Sequence, residues 1–142
     1  MDTLRLLFPQ WQGSGHAKAK DLLNGALGLK PFLSADVTEL EIEDVDTETS
    51  NNILRYADIV LNLEEALHII REAKPKKLLT VGGDCGVDAA PVAYLNQLHK
   101  DFALIWIDAH ADMHTPKSSP SKSFHGMVLR TILGDGDAAI LE

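Results

Sequence analysis

Two short apolar runs, Lys77-Leu78-Leu79-Thr80-Val81 and Phe102-Ala103-Leu104-Ile105-Trp106-Ile107, constrain the fold more than any other feature of this chain. Each has the length of a strand, lacks polar alternation and is bounded by turn residues, which is the pattern of a strand buried on both faces. Between them stand the turn Gly82-Gly83-Asp84-Cys85-Gly86 and a helical stretch over residues 88–98. Strand, glycine turn, helix and strand make a βαβ unit, whose right-handed crossover sets the two strands parallel with their ends at one edge of the sheet. Cys85 is therefore expected to share an edge with the residues just beyond Ile107.

Those residues are Asp108-Ala109-His110-Ala111-Asp112-Met113-His114, with four metal-capable side chains at a strict spacing of two. In an extended chain residues i, i+2, i+4 and i+6 project to one side, so these four can converge while Ala109, Ala111 and Met113 face away. Carboxylate oxygens with imidazole nitrogens suit Mn²⁺, Co²⁺, Ni²⁺ or Zn²⁺, and a carboxylate can bridge a pair of ions. The plainer alternative is a polar loop leaving a strand. Four donors in phase directly after a buried strand favour the metal site.

At 142 residues and 45% hydrophobic, the chain is long enough to bury one core, and residues 1–142 read as a single α/β domain. Residues 3–8 predict a buried first strand ended by Pro9, followed by a turn-rich loop over residues 10–15. Residues 16–29 have helical character, and residues 37–42 alternate as a half-exposed edge strand. After a polar turn over residues 47–52, Tyr56, Ile59, Leu63, Leu67 and Ile70 form a helical core stripe down to Ala73, stopped by Pro75. Residues 115–123 are a loop rich in proline and serine, and Phe124-His125-Gly126-Met127 opens a last helix to Leu133. Asp135-Gly136-Asp137 then reads as a cap and turn.

The net charge of −8, from 21 acidic against 13 basic residues, argues against a nucleic-acid partner and against an anionic membrane surface. Glu39, Glu41, Glu43, Asp44, Asp46 and Glu48 read as a solvated strand edge and turn rather than a second metal site. The lone cysteine excludes an internal disulfide framework, and with no secretory signal or long apolar span the expected location is cytoplasmic. His68 and His99 fall in and at the end of helices and read as structural. His16, on a loop near the first strand, is read the same way.

The order Gly82-Gly83-Asp84-Cys85, then Asp108-Ala109-His110-Ala111-Asp112, then His125-Gly126 resembles the ureohydrolase family of arginases, agmatinases and formimidoylglutamases, most closely over residues 77–127. The run Phe8-Pro9-Gln10-Trp11-Gln12-Gly13 is similar to the start of some bacterial members. The resemblance implies a three-layer α/β/α fold with a mostly parallel sheet, of which this chain matches the N-terminal half. It also implies two divalent ions, usually manganese, sharing a hydroxide that attacks a guanidinium or amidine carbon. Carried over by position, Asp108 bridges both ions and is catalytic through them, Asp112 binds the first and His110 the second. His125 is the proton shuttle, suited by the near-neutral pKa of imidazole. Ser121 falls at the substrate's amino-acid end, and Asp84 is a structural or supporting acid rather than a ligand. The implied partners are a small guanidino or amidino substrate and further copies of the chain in a homo-oligomer.

Three departures from the family pattern bear on these expectations. Cys85 stands at the family's histidine ligand to the first ion; a thiolate there favours Zn²⁺, Co²⁺ or Ni²⁺, and a small inert cysteine is the alternative. His114 replaces the asparagine with which arginases hold substrate, so it is assigned to substrate binding, with an added ligand as the other possibility. The family's later pair of aspartates spaced by one residue is not found in this sequence. A non-catalytic fragment or degenerate paralogue with weak metal binding and an oligomer-forming or regulatory role is therefore the second reading. The related deacetylase fold is a third, opposed by His125-Gly126 and the Gly-Gly-Asp turn.

Overall fold

The computed structural model describes residues 2–33 and 36–141. β1 (Thr3–Phe8) is the middle strand of a three-stranded parallel sheet, with β2 (Val37–Glu39) on one side and β5 (Lys77–Gly82) on the other. Its side chains alternate between two covered faces, as a run of bulky apolar residues requires. Leu4, Leu6 and Phe8 join the main core with Ile59, Leu63, Ala66 and Ile70 of α2 (Tyr56–Ala73). Leu7, fully buried, points to the opposite face, where α1 (Asp21–Leu29) lies against β1 and β5. α3 (Ala89–Leu98) packs beside α2, and α4 (Val128–Ile132) packs beside α3. The result is a helix, sheet, helix sandwich, the α/β architecture expected from the sequence.

Register decides where the strands end. β1 pairs with β5 from Thr3 opposite Lys77 to Phe8 opposite Gly82, so both chains leave the sheet together. Backbone bonds continue past the strands, from Gly83 N–H to Phe8 O at 3.2 Å and from Asp84 N–H to Gln10 O at 2.8 Å. A Cβ at position 83 would sit 1.6 Å from Gln10 O, so only glycine permits this approach.

Several boundaries differ from the sequence expectation for local reasons. α1 begins at Asp21 because residues 16–20 are taken up by tight turns, such as Ala19 N–H to His16 O at 2.9 Å. The polar turn over residues 47–52 contains a small hairpin, β3 (Thr49–Ser50) against β4 (Ile53–Leu54), whose Asn51 and Asn52 have φ of 50° and 61°. Two successive left-handed residues are what a two-residue hairpin turn demands, and asparagine tolerates them. α2 carries a buried polar pair, Asp58 and Asn62, in line with its apolar stripe. Asp58 accepts from the N–H groups of Val45 and Asp46, and Asn62 from that of Glu43, so the acidic loop is pinned to the helix. Asp135-Gly136-Asp137 forms a turn, and Asp137 accepts from the Tyr56 hydroxyl at 2.6 Å and caps α5 (Ala138–Leu141).

One expectation is overturned. Residues 102–107, read as a buried strand, pair with no strand among the described residues, and Ile105 and Ile107 are 83% and 94% exposed. A parallel strand exists only where a neighbour accepts its N–H groups and donates to its carbonyls. Among the described strands β5 has β1 on one side and nothing on the other, so the last element of the βαβ unit lacks its ladder. Composition marks these residues for burial, but pairing is a property of the neighbour.

Because Ile59 is fully buried under β1, Ile59→Ala is expected to lower the unfolding free energy by about 3 kcal/mol, read from urea denaturation. A loss under about 1 kcal/mol would show that α2 does not cover this face.

Candidate metal centre

The turn after β5 places Cys85 at the head of a short 3₁₀ segment, Cys85–Asp88. The segment opens with Asp84, whose carboxylate accepts from Gly86 N–H at 2.8 Å, a local side-chain cap that suits the helix-like turn. Cys85 Sγ lies 3.5 Å from Asp108 Oδ2. One donor atom each from Cys85, Asp108 and Asp112 lie within 4.8 Å of one another, a spacing that a single ion can span. Residues 102–107 form no strand, yet their end still meets the glycine turn.

Strict alternation does not survive beyond Asp108. Asp112 adopts φ of 50°, a left-handed conformation that ends any extended run, and its side chain turns inward to 4% exposure. His110 instead stands 82% exposed, with its N–H on Asp108 Oδ1 at 2.8 Å and its ring Nδ1 3.5 Å from the same oxygen. The period-two argument thus places Asp108 and Asp112 together by a bend rather than by a pleat, and leaves His110 at the rim. His114 is exposed, with Nδ1 3.3 Å from Ser118 Oγ and its N–H on Gly126 O at 3.0 Å.

Electrostatically the cluster is short of positive charge. Burial, with Asp108 adding to it, pushes the Asp112 carboxyl above the usual carboxylate range. Its Oδ2 is buried with no hydrogen-bond partner, a costly state for a carboxylate oxygen. Burial and the two neighbouring carboxylates push the Cys85 thiol up to about 12. Asp108 moves the other way, held below the usual range chiefly by the N–H of His110. Sulfur and oxygen donors around an unsatisfied buried carboxylate fit a borderline divalent cation, which would offset the two carboxylate charges and stabilise the thiolate form of Cys85.

Beside the trio lies a cleft of about 450 Å³ lined by His110, Asp112, His114, Ser119, Ser121 and His125, among others. Its size suits a small organic ligand. His125 is the second residue of the 3₁₀ segment Phe124–Met127 and is tied back by its N–H to Gly13 O at 3.0 Å. The cleft therefore gathers residues to which the family resemblance assigns ions, protons or substrate, while Cys85 and Asp108 are not among its lining. Ser119, 3% exposed, and Gly13 carry no such assignment. Ser119 gives no local signal within its serine-rich loop, whereas Gly13 could have been suspected from its place in Gln12-Gly13-Ser14.

Comparison with known proteins places this geometry. A model of the arginase family matches residues 12–139. The arginase of Plasmodium berghei (strain Anka) is 28% identical over 138 residues, covering 94% of this chain and 37% of that protein. The arginase of Staphylococcus aureus (strain MRSA252) is 32% identical over 111 residues, covering 75% of this chain and 35% of that protein. Among solved structures, Entamoeba histolytica arginase in complex with L-ornithine superposes with a TM-score of 0.70 at 23% identity, over 98% of this chain and 51% of that one. Bacillus subtilis arginase gives a TM-score of 0.71 at 20% identity, over 98% of this chain and 50% of that one. The chain thus spans little more than a third of these curated relatives and half of these solved structures. Its parallel sheet, glycine turn and aspartate-histidine run have a common explanation: the chain belongs to the arginase family.

Proposed function

We propose that this chain carries the metal-binding edge of a hydrolase that cleaves linear C–N bonds in guanidino or amidino compounds. The observation that supports it most is the buried Oδ2 of Asp112, without a hydrogen-bond partner beside Cys85 and Asp108, a position that a cation would satisfy. Cys85, Asp108 and Asp112 hold one divalent ion, and Asp108 with His110 provides ligands toward a second. Manganese is the family's usual ion; Cys85 shifts preference toward Zn²⁺, Co²⁺ or Ni²⁺, because thiolate is a soft donor. A divalent ion here supplies Lewis-acid chemistry, lowering the pKa of water near the substrate carbon.

The chain's own residues do the rest. The net charge of −8 favours the approach of a cationic guanidinium to the protein. Ser121 and His114, on the cleft wall, hydrogen-bond the end of the substrate distant from the reacting carbon. His125, on the same wall, moves a proton through its imidazole to the departing amine. The Entamoeba histolytica relative was solved with L-ornithine, an amino acid with a terminal amine, and the serine and histidine side chains lining this cleft offer hydrogen-bond partners to a ligand of that kind. Residues 1–142 act as one α/β domain in the cytoplasm.

The free edge of β5 and the exposed apolar residues 102–107 favour a second reading, a non-catalytic member that associates through strand pairing. Unpaired edges and exposed apolar segments are templates for another chain. On this reading light scattering finds a homo-oligomer, and Ile105→Lys with Ile107→Lys reduces it to monomer. An oligomer indifferent to both changes would place its interface elsewhere.

Metal binding separates the two readings. The chain is expected to bind about one Co²⁺ or Zn²⁺ per molecule tightly, with a thiolate absorption band in the cobalt form that Cys85→Ser abolishes. Asp108→Ala should weaken affinity by about tenfold or more. Since the thiol is pushed up to about 12, it is protonated when metal-free and must release its proton on binding. Affinity therefore rises about tenfold per pH unit near neutrality and falls in acid, a slope that Cys85→Ser should flatten. No bound ion at micromolar metal sinks the hydrolase. With metal bound, urea or ammonia release over arginine, agmatine, guanidinobutyrate, guanidine and formimidoylglutamate identifies the substrate, and silence on all favours the second reading.

A further inference from the structure

We propose that Asp84 is the positioning residue of the site, one buried carboxylate that fixes the segment carrying Cys85 and the segment carrying His125 relative to each other. What the site does rests on the reading above; what Asp84 holds rests on geometry alone. Its Oδ1 accepts from Gly86 N–H at 2.8 Å and from Gln10 Nε2 at 3.2 Å, and its Oδ2 accepts from Gly13 N–H at 2.8 Å. Gly13 in turn accepts the His125 N–H on its carbonyl at 3.0 Å. Cys85 lies between Asp84 and Gly86, inside the turn that Oδ1 closes. Two strand exits distant in sequence therefore meet on a single side chain that is 6% exposed, and the segment bearing His125 is tied to one of them through Gly13.

Three observations make this a built device. All three contacts to the carboxylate are N–H donors, so both of its oxygens serve as acceptors. The space is closed: a Cβ at Gly13 would lie 2.5 Å, and one at Gly86 2.8 Å, from Asp84 Oδ1. The Gln10 amide is itself oriented, because its Oε1 accepts from Asn62 Nδ2 at 3.4 Å, leaving its NH₂ for Asp84. No oxygen of Asp84 belongs to the Cys85, Asp108 and Asp112 cluster, so it acts on that cluster through the backbone.

Asparagine at this position discriminates between the two arms. With Oδ1 kept on Gly86 and Gln10, its NH₂ must face the N–H of Gly13, donor against donor, while the opposite flip sets it against two donors and is worse. Asp84→Asn therefore cuts the tether to His125 and spares the turn around Cys85. By ¹⁵N-resolved hydrogen exchange, the Gly13 and His125 amides should exchange about tenfold faster than in the parent, with Gly86 and the interior of α2 within about twofold. The Cys85-dependent cobalt band should keep its position. Unchanged His125 protection overturns the proposal, as does an equal loss at His125, Gly86 and α2, which would make Asp84 a contributor to global stability only.

If Asp84→Asn does not fold, Gly13→Ala decides the question, since its Cβ would lie 2.5 Å from Asp84 Oδ1 and so displaces the carboxylate from both arms. Loosening at residue 13, Gly86 and His125 with the interior of α2 protected supports the proposal; protection retained at His125, or an equal loss in α2, overturns it. A parent chain that shows no cobalt band removes the metal reading, and the amide measurements still judge Asp84.

Discussion

The close crossing of two strand exits is the constraint on which the rest of this structure depends. β1 and β5 end in register, Phe8 opposite Gly82, and the backbones then pass so near each other that position 83 admits no side chain. Parallel sheets gather loops at their C-terminal ends, and there a fold can place polar groups without disturbing its core. Here the exits do not splay apart. Bonds from Gly83 to Phe8 and from Asp84 to Gln10 extend the ladder into the loops, so the turn bearing Cys85 inherits the rigidity of the sheet. A donor atom so fixed has little freedom to lose when an ion arrives, and preorganisation of this kind favours binding.

Charge explains why such rigidity is needed. Asp108 and Asp112 are held with donor atoms near a thiol, and two like charges with a desolvated carboxylate repel one another. The raised pKa values of Asp112 and Cys85, and the lowered one of Asp108, describe a cluster that stores protons where a cation would serve better. A flexible loop would relieve the repulsion by turning Asp112 to solvent. That escape is resisted, because the Asp112 carbonyl accepts Arg130 N–H of α4 at 3.1 Å, and α4 begins with the buried Val128.

Much of this was legible in the residues. The uninterrupted apolar runs marked β1 and β5, the stripe from Tyr56 to Ile70 marked α2, and the aspartate-histidine run after the turn marked the edge where donors gather. The features that could not be read have physical causes. Residues 102–107 have a strand's composition, but a strand exists only with a partner, and partnership is written in another segment. The bend at Asp112 depends on a left-handed φ that no flanking glycine announces. Asp58 and Asn62 sit four residues apart in line with Ile59, Leu63 and Ala66, a phase that places them inward once polar residues are counted on the apolar face.

The unpaired segment and the metal cluster are not independent. Asp108 comes directly after residues 102–107, and its side chain is steadied by the His110 N–H and ring and by the Cys85 thiol. The conformational freedom of that segment is therefore part of the cost of bringing Asp108 to an ion. Any strand seated beside residues 102–107 would lower this cost, and an ion in the cluster would in turn order the segment for the strand. Linkage requires the two effects to be equal in free energy. Affinity for metal and affinity for a strand are then two measurements of one coupling, whose size is bounded by the order that Asp108 lacks when neither is present.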